Sequence, residues 1–335
     1  MVDIRFYPSL VTKNAPVTVD FYPSRVVFPP GLCRIRWLNI SVTHMIKKIL
    51  KGVLIFFGAV ILIAVGFYTK AYFSTESRLN KRYSVSPQTL YITPDSAMLG
   101  KGKRLASVKG CMECHGADLS GKIMHEDFML GRLVSANLTR GKGGLPADYG
   151  MRDWVLALKH GLKRDGTPLI FMPSHEFYLL SEYDMKAIIA YCSTVPSVDN
   201  ELPEIKLGPM VRVLSDLDKF PLVPAEMVDH DHQLISSVKE EVSVEFGKYL
   251  ATSCSGCHKE SMKGGEALAP GLPVVADISS TGNPGRWTED QWITTLRTGV
   301  TPEGKTLNPA EMPWPMAKDL TDVELKALRK YLNTL

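Results

Sequence analysis

Two copies of one cysteine–histidine pattern are the residues of this sequence best suited to do chemistry. They are Cys111-Met-Glu-Cys114-His115 and Cys254-Ser-Gly-Cys257-His258, and they contain four of the six cysteines in 335 residues. Two thiols three residues apart on a helical turn can each add to one vinyl group of a haem, and the histidine that follows can bind the iron. A single copy could instead be a disulfide or redox pair beside an unused histidine. Two copies favour two covalently bound haem c groups, with His115 and His258 as iron ligands.

The sequence that surrounds each pattern is also repeated. Residues 154–169 match residues 292–307 at an offset of 138, and Met172 matches Met312 at an offset of 140. A repeat of this length predicts a tandem pair of domains of about 100 residues each, which is a usual domain size. We expect each copy to fold around a core of its own.

The second iron ligand of each site is expected from a loop before the last helix of the copy. Met172 and Met312 stand there, each followed by proline, and a thioether is a neutral ligand that favours reduced iron. A single methionine is more often a core residue. Two rivals stay open, His175 in the first copy and Met316 in the second. The repeat favours Met172 and Met312, because each lies nine residues before a helix-capping hydroxyl.

Other residues with chemical potential are assigned structural roles. Trp154 and Trp292 are matched in the repeat, and core packing is favoured over stacking on a haem edge. Cys192 falls on an apolar helix face and is expected to be a small buried residue. Four histidines without a counterpart are expected at the surface or beside the ligands, namely His125, His160, His230 and His232.

Capping residues and hydrophobic periodicity predict a helical protein. Ser181 and Thr321 each precede an acidic residue by three positions, which is typical of a helix N-terminus, and apolar residues at helical spacing follow both. Further helices are predicted at about 98–108 and 244–252 and from Trp154 and Trp292 onward. Because no segment alternates like a strand, the expected fold class is all-α, with two tandem domains after one N-terminal transmembrane helix.

One segment is apolar enough to span a membrane. Residues 52–69 carry no charge, and a helix of that length is about 27 Å long, close to the hydrocarbon thickness of a bilayer. Lys47, Lys48 and Lys51 precede it, so the positive-inside rule places the domains outside the cytoplasm. A cleaved signal peptide is the alternative, but no A-x-A-like site follows. We expect an uncleaved single-pass anchor in the inner membrane, with the domains in the periplasm.

The charge distribution agrees with an anchored protein. Residues 1–82 hold 12 basic and three acidic residues, whereas the remainder is mildly acidic. Nucleic-acid binders carry positive charge on their folded domain, so nucleic acid is not an expected partner. The expected segments are an unassigned tail at 1–44 with Met45 as the hypothetical initiator, an anchor at 45–70, a tether at 71–95, a first domain at 96–196, a Pro-rich semi-rigid linker at 197–236 and a second domain at 237–335.

These features resemble tandem class I c-type cytochrome domains, specifically membrane-anchored dihaem cytochromes similar to the cytochrome subunits of bacterial alcohol and sugar dehydrogenases. The resemblance covers about residues 99–335 and rests on residues 110–121, 136–139, 172–174 and 187–191. Those subunits usually carry three haem motifs, and this sequence has two. The resemblance implies covalent haem at Cys111/Cys114 and at Cys254/Cys257, with axial pairs His115/Met172 and His258/Met312.

The expected function is electron transfer and not catalysis, because two six-coordinate haems exchange electrons but leave no iron position for a substrate. The expected donor is a periplasmic or membrane dehydrogenase, the expected acceptor is a cytochrome or terminal oxidase of the respiratory chain, and membrane lipid surrounds the anchor. A dihaem peroxidase-like enzyme and a haem-based redox sensor are the alternatives. The peroxidase would need an iron with an open or displaceable ligand and a nearby acid/base group.

Overall fold

A computed structural model describes residues 19–21, 24–26, 42–267 and 273–335, with side chains from residue 45 onward. The chain divides into two compact units, Met1–Gly66 and Phe67–Leu335. The first unit contains two antiparallel strands, β1 (Val19–Phe21) and β2 (Ser24–Val26). Most of the tail expected at 1–44 lies outside the described residues.

The first helix, α1 (Val42–Leu79), contains the expected anchor and continues past it. It is long and apolar enough to cross a membrane, and its apolar side chains are exposed, as they are where a helix contacts lipid. The segment predicted as a tether is therefore helical up to Leu79. Ala71 and Thr75, four residues apart on one face of this extension, are fully buried.

Two helical segments follow with the same order of elements. The first consists of α2 (Ser96–Val108), α3 (Cys111–His115), α4 (Met151–His160), α5 (Ser174–Phe177) and α6 (Glu182–Thr194). The second consists of α8 (Val244–His258), α9 (Glu289–Thr298), α10 (Trp314–Ala317) and α11 (Asp322–Leu332). The predicted helices are present, and the one expected at 244–252 continues through the second cysteine motif. Ser181 and Thr321 cap α6 and α11 as expected, since their hydroxyls accept the backbone N–H three residues later.

A glycine lets the first and last helices of each segment touch. A methyl group on Gly102 of α2 would lie 2.0 Å from the carbonyl oxygen of Ala187 in α6, and one on Gly247 of α8 would lie 2.0 Å from that of Ala327 in α11. Any larger residue would force the helices apart. The two segments thus use the same helix crossing, at positions 140 residues apart on the last helix.

Each helical segment has an apolar core, and one side chain joins the two cores. Trp154 packs in the first core and Trp292 in the second, both almost fully buried, as expected. Cys192 is buried in the first core, also as expected. Tyr249 of α8 packs against both cores, donates its hydroxyl to Asp184 Oδ2 at 2.6 Å and accepts the N–H of Ser181 at 3.0 Å. The two cores are therefore distinct but in contact.

The structure is mostly helical, but the expectation of an all-α fold is wrong for a second region besides β1 and β2. Strands β3 (Lys122–Asp127), β4 (Gly131–Ser135) and β5 (Lys206–Leu207) form an antiparallel sheet in the order β3-β4-β5. Gly131 has a positive φ of 85°, and a methyl group there would lie 1.9 Å from Lys206 O. Every residue of β3 is exposed. The strand therefore lacks the alternation of apolar and polar residues by which a half-buried strand is predicted from sequence.

The segment predicted to be a Pro-rich spacer is also different from expectation. It contains β5, helix α7 (Pro209–Asp216) and a short 3-10 helix, Pro224–Met227. Its apolar residues Val211, Leu222 and Val223 are buried with Leu156 and Leu162 of the first helical segment. Residues 197–236 pack against the first helical segment because their apolar side chains form a small core with it.

Of the two positions expected for His160, at the surface or beside the ligands, the surface position is wrong. His160, the last residue of α4, is 1% exposed. Its ring stacks on that of His230 at a centroid separation of 5.2 Å, with the two Nδ1 atoms 3.0 Å apart. Because a hydrogen bond between two nitrogens requires one donor and one acceptor, the Nδ1 of one ring carries a proton and the Nδ1 of the other accepts it.

Candidate haem-binding sites

Both cysteine motifs hold their histidine in the same way. His115 Nδ1 lies 2.7 Å from the carbonyl oxygen of Ala136, and His258 Nδ1 lies 2.8 Å from that of Ala276. A carbonyl can only accept, so Nδ1 carries the proton and Nε2 keeps the lone pair for a metal. Burial lowers the pKa of both histidines, which keeps the rings neutral at pH 7. Both are thus in the tautomer and charge state of an iron ligand.

The two accepting carbonyls lie in loops that match each other in the sequence, residues 136–139 and 276–279, at an offset of 140. In the first loop, Asn137 Oδ1 accepts the N–H of Thr139; in the second, Asp277 Oδ1 accepts the N–H of Ser279. These Asx turns fix the loop immediately after each carbonyl. The sequence identified these loops as equivalent, but only the structure shows that they orient the histidines.

None of the four cysteines of the motifs forms a disulfide among the described residues. Burial raises the pKa of Cys111 to about 12 and that of Cys254 to about 11. Redox-active thiols have lowered pKa values, so the alternative of a redox pair is disfavoured. The described residues also contain no group of three or more His, Cys, Asp or Glu side chains able to hold a bare metal ion.

Met172 and Met312 lie in turns of the same shape. The proline that follows has φ −77° and ψ 53° in the first turn and φ −75° and ψ 54° in the second. In both turns the methionine carbonyl accepts the N–H two residues later at 2.7 Å. Met172 packs against the core that contains Cys111, and Met312 packs against the core beside Cys254. Each methionine thus belongs to the same core as its cysteine motif.

The structure separates the two rival ligands. A methyl group on Gly110 would lie 3.0 Å from Met316 Cε, so Met316 contacts the residue directly before the first motif. His175 is half-buried, and its Nδ1 is a buried atom without a hydrogen-bond partner in the described structure. The contact with Gly110 is an argument against Met316 as a ligand of the second haem, and His175 stays the alternative to Met172.

The two motifs meet where the helical segments touch. Lys109, two residues before the first motif, donates from Nζ to Ser253 Oγ at 2.7 Å, directly before the second motif. A methyl group on Gly256 inside the second motif would lie 2.9 Å from Glu176 Oε1. Glu176 and Met316 are 140 residues apart in the repeat, so each segment contacts the motif of the other from an equivalent position. Sequence reasoning missed this contact, because no local pattern marks it.

The first core contains a buried hydrogen-bond donor that a haem carboxylate could satisfy. Trp154 Nε1 is buried without an acceptor, whereas the equivalent Trp292 Nε1 donates to Leu325 O at 3.1 Å. Buried donors are nearly always paired, and haem carries carboxylates that can accept. The paired thiols, the oriented imidazole and the thioether complete a set that suits covalently attached haem and six-coordinate iron.

Comparison with known proteins finds similarity to a cytochrome c family and to cytochrome subunits of dehydrogenases. Residues 244–335 match the family described as Cytochrome c. The cytochrome c subunit of a quinone-type alcohol dehydrogenase from Gluconobacter oxydans (strain 621H) is 26% identical over 271 residues, which are 72% of this chain and 55% of that protein. The fructose dehydrogenase cytochrome subunit of Gluconobacter japonicus is 25% identical over 280 residues, 75% of this chain and 56% of that protein.

A shorter match has higher identity. The gluconate 2-dehydrogenase cytochrome c subunit of Pantoea cypripedii is 36% identical over 100 residues, 26% of this chain and 22% of that protein. The chain spans about half the length of the alcohol and fructose dehydrogenase subunits that it matches. These relatives are cytochrome subunits and not catalytic subunits, in agreement with the expectation of an electron carrier. The chain therefore contains a cytochrome c domain at residues 244–335 and is a homologue of cytochrome c subunits of alcohol, fructose and gluconate dehydrogenases.

Proposed function

We propose that this chain is a membrane-anchored dihaem cytochrome that passes electrons from a dehydrogenase to the respiratory chain on the periplasmic face of the membrane. The observation that carries the proposal is the identical orientation of His115 and His258 by backbone carbonyls. In this proposal haem c is attached at Cys111/Cys114 and at Cys254/Cys257, and the axial pairs are His115/Met172 and His258/Met312.

A second haem domain is supported by geometry outside the residues matched by the cytochrome c family. The first helical segment repeats the helix crossing at Gly102, the histidine–carbonyl contact and the methionine turn of residues 244–335. Independent features that recur in the same order indicate one domain type used twice. We therefore propose cytochrome c domains at about 96–196 and 237–335.

Electron transfer is favoured over the two alternatives by the ligand set. Haem iron with two protein ligands supplies one-electron chemistry, tuned by the ligands and their surroundings. Each site in this chain provides one oriented imidazole and one methionine packed against the same core. A peroxidase or a sensor needs a position at iron that a substrate or gas can occupy, and this arrangement provides a side chain for both faces.

A relay within the chain is supported by the contact between the motifs. Lys109 and Ser253 bridge the helices that carry them, so the two proposed sites share one interface. An electron carrier with neighbouring sites can accept an electron at one exposed surface and release it at another. The dehydrogenase relatives support a dehydrogenase as the donor.

The proposed location depends on α1 and on the charges before it. The helix passes the length and composition required of a membrane span, and Lys47, Lys48 and Lys51 precede the uncharged stretch. Positive residues stay in the cytoplasm, which would place residues 70–335 in the periplasm, where haem is attached to Cys-x-x-Cys-His motifs.

The proposal is tested by haem stoichiometry and spectroscopy on the native protein from bacterial membranes. We expect two haem c per chain by the pyridine haemochrome assay and a low-spin spectrum with the far-red band of methionine-ligated ferric haem. One haem per chain would refute the dihaem assignment. A high-spin component would favour the peroxidase or the sensor. Protease added to spheroplasts should digest residues 70–335, and protection of this part would refute the periplasmic location.

A further inference from the structure

A groove at the C-terminal end of α1 has the composition of a lipid headgroup site. It has a volume of about 400 Å³ and lies between residues 68–79 of α1 and the sheet and α7 region. Residues that line it include Tyr68, Tyr72, Glu76, Ile170, Lys206 and Arg212. We propose that this groove binds the phosphate of an anionic phospholipid, an inference that rests on the proposed membrane anchoring by α1.

The position of the groove matches the membrane–water boundary. Tyr68 belongs to the last turn of the uncharged stretch at 52–69, and Lys70 is the first charged residue after it. Lys70 pairs with Asp216 at the end of α7 at 2.7 Å. Tyr68 and Tyr72 are partly exposed, and tyrosine is enriched at the level of the headgroups. Lipid phosphates therefore lie at the height of the groove.

Arg212 supplies a donor that the protein leaves without a partner. The residue is 9% exposed, and its Nη2 pairs with Glu76 Oε1 at 2.8 Å while its guanidinium carbon lies 4.3 Å from the centroid of the Tyr72 ring. Its Nη1 has no hydrogen-bond partner in the described structure. Guanidinium groups bind phosphate oxygens through two N–H groups. Because Nη1 is a buried atom, a phosphate oxygen would satisfy this donor after a turn of the Arg212 side chain toward the groove.

Lys206 gives the groove a net positive charge. Its side chain is exposed, and the structure records no ion pair for it among the described residues. Two cations and the Glu76 carboxylate line the groove, which leaves one positive charge in excess. One phosphodiester carries one negative charge and balances that excess. A zwitterionic headgroup would bring a further cation, so the site selects anionic lipid.

The apolar side of the groove favours a lipid over free phosphate. Ile170, Ile205 and Leu207 line it beside the charged residues, and Ile205 is partly exposed. An acyl chain would cover this surface, and inorganic phosphate would leave it in water. The combination of two donors and an apolar wall at the membrane surface thus fits a phospholipid.

The test uses the full-length holoprotein in detergent and native mass spectrometry. Phosphatidylglycerol or phosphatidylcholine is added at equal concentrations, and the fraction of protein that retains one lipid is measured. We expect retention of phosphatidylglycerol and little of phosphatidylcholine. Lys206→Gln should weaken phosphatidylglycerol binding about fivefold, as expected for one lysine near anionic lipid. Lys103→Gln is the matched control, because Lys103 is exposed on α2 and distant from the groove residues in the sequence.

Further experiments distinguish a lipid phosphate from free phosphate and show whether the variants are folded. Arg212→Gln should weaken binding more strongly than Lys206→Gln, and its haem content and circular dichroism show whether it is folded. Displacement of the lipid by millimolar inorganic phosphate would overturn the proposal in favour of a free-phosphate site. Equal retention of both lipids, or equal binding by wild type and Lys206→Gln, would also overturn it. Haem stoichiometry and membrane fractionation of the same preparation test the proposed function separately, because neither depends on lipid selectivity.

Discussion

Arg104 of α2 and Glu324 of α11 form an ion pair, with 2.6 Å between Nη1 and Oε2, that joins the two helical segments. The Glu324 side chain is 3% exposed and also accepts the N–H of Thr321 at 2.6 Å, which caps α11. The Glu324 carboxylate therefore caps the N-terminus of α11 and also holds α11 against the first helical segment. The two haem domains proposed above are coupled by this contact and by Tyr249.

Removal of Arg104 should destabilise the protein. Arg104→Met leaves the buried Glu324 carboxylate without its cation, and we expect the free energy of unfolding to fall by about 2 kcal/mol, less than for a fully buried pair since Arg104 is partly exposed. Urea unfolding of the holoprotein measures the change. Lys326→Met is the control, because Lys326 and Glu289 form an exposed pair and such pairs contribute less than about 1 kcal/mol. Equal effects of both substitutions would contradict the structural role of Arg104.

Loss of the second attachment site should remove one haem and not two. In the Cys254→Ala/Cys257→Ala variant we expect one haem per chain, because Cys111 and Cys114 belong to the other segment and retain their own core. Haem staining and the mass of the intact chain measure the count. Cys192→Ala, a substitution of a buried cysteine outside the motifs, should keep two haems. A variant that lost both would show that the sites form only together.

Substitution of two neighbouring methionines should identify the ligand of the second haem. Met312→Ala should abolish the methionine–iron band of one haem and lower its reduction potential, because the thioether favours reduced iron. Met316→Ala should preserve the band of both haems, since Met316 lies against Gly110. Absorption spectra and redox titration distinguish the two variants. The opposite pattern would overturn the repeat alignment and the assignment of Met172.

Stability should decrease in mild acid through the buried histidine pair. Burial, together with the nearby Lys159 and His230, lowers the pKa of His160 to about 4, while a histidine in the unfolded chain titrates near 6.5. Between these values the unfolded chain binds a proton that the folded chain does not. The contribution to stability is therefore complete above about pH 6.5 and is lost as the pH falls toward 4.

The melting temperature measured across this pH range tests the prediction. His160→Phe should give a flatter dependence between pH 4 and 6.5, because the titrating group is absent. A His160→Phe variant with an unchanged slope would show that other groups cause the acid sensitivity.

Local patterns in the sequence determined most of the proposed chemistry. The spacing within each Cys-x-x-Cys-His motif, the offset of 140 between Met172 and Met312 and the capping residues Ser181 and Thr321 are all properties of short segments. Helix starts and thioether attachment depend on residues within one or two helical turns, so adjacent residues are sufficient to predict them. The repeat then transferred each assignment from one copy to the other.

Only the tertiary structure decided how distant segments meet. It placed β5 beside β4, the segment at 197–236 on the first helical segment, His160 against His230, and Arg104 against Glu324. The partners are 70 residues apart for His160 and His230, 74 and 76 for the paired residues of β4 and β5, and 220 for Arg104 and Glu324. Neither partner carries a local signal for the other. The energy of such contacts comes from burial and pairing that exist only after folding. For this reason the same spacing rules that predicted the haem motifs could not predict the interface between them.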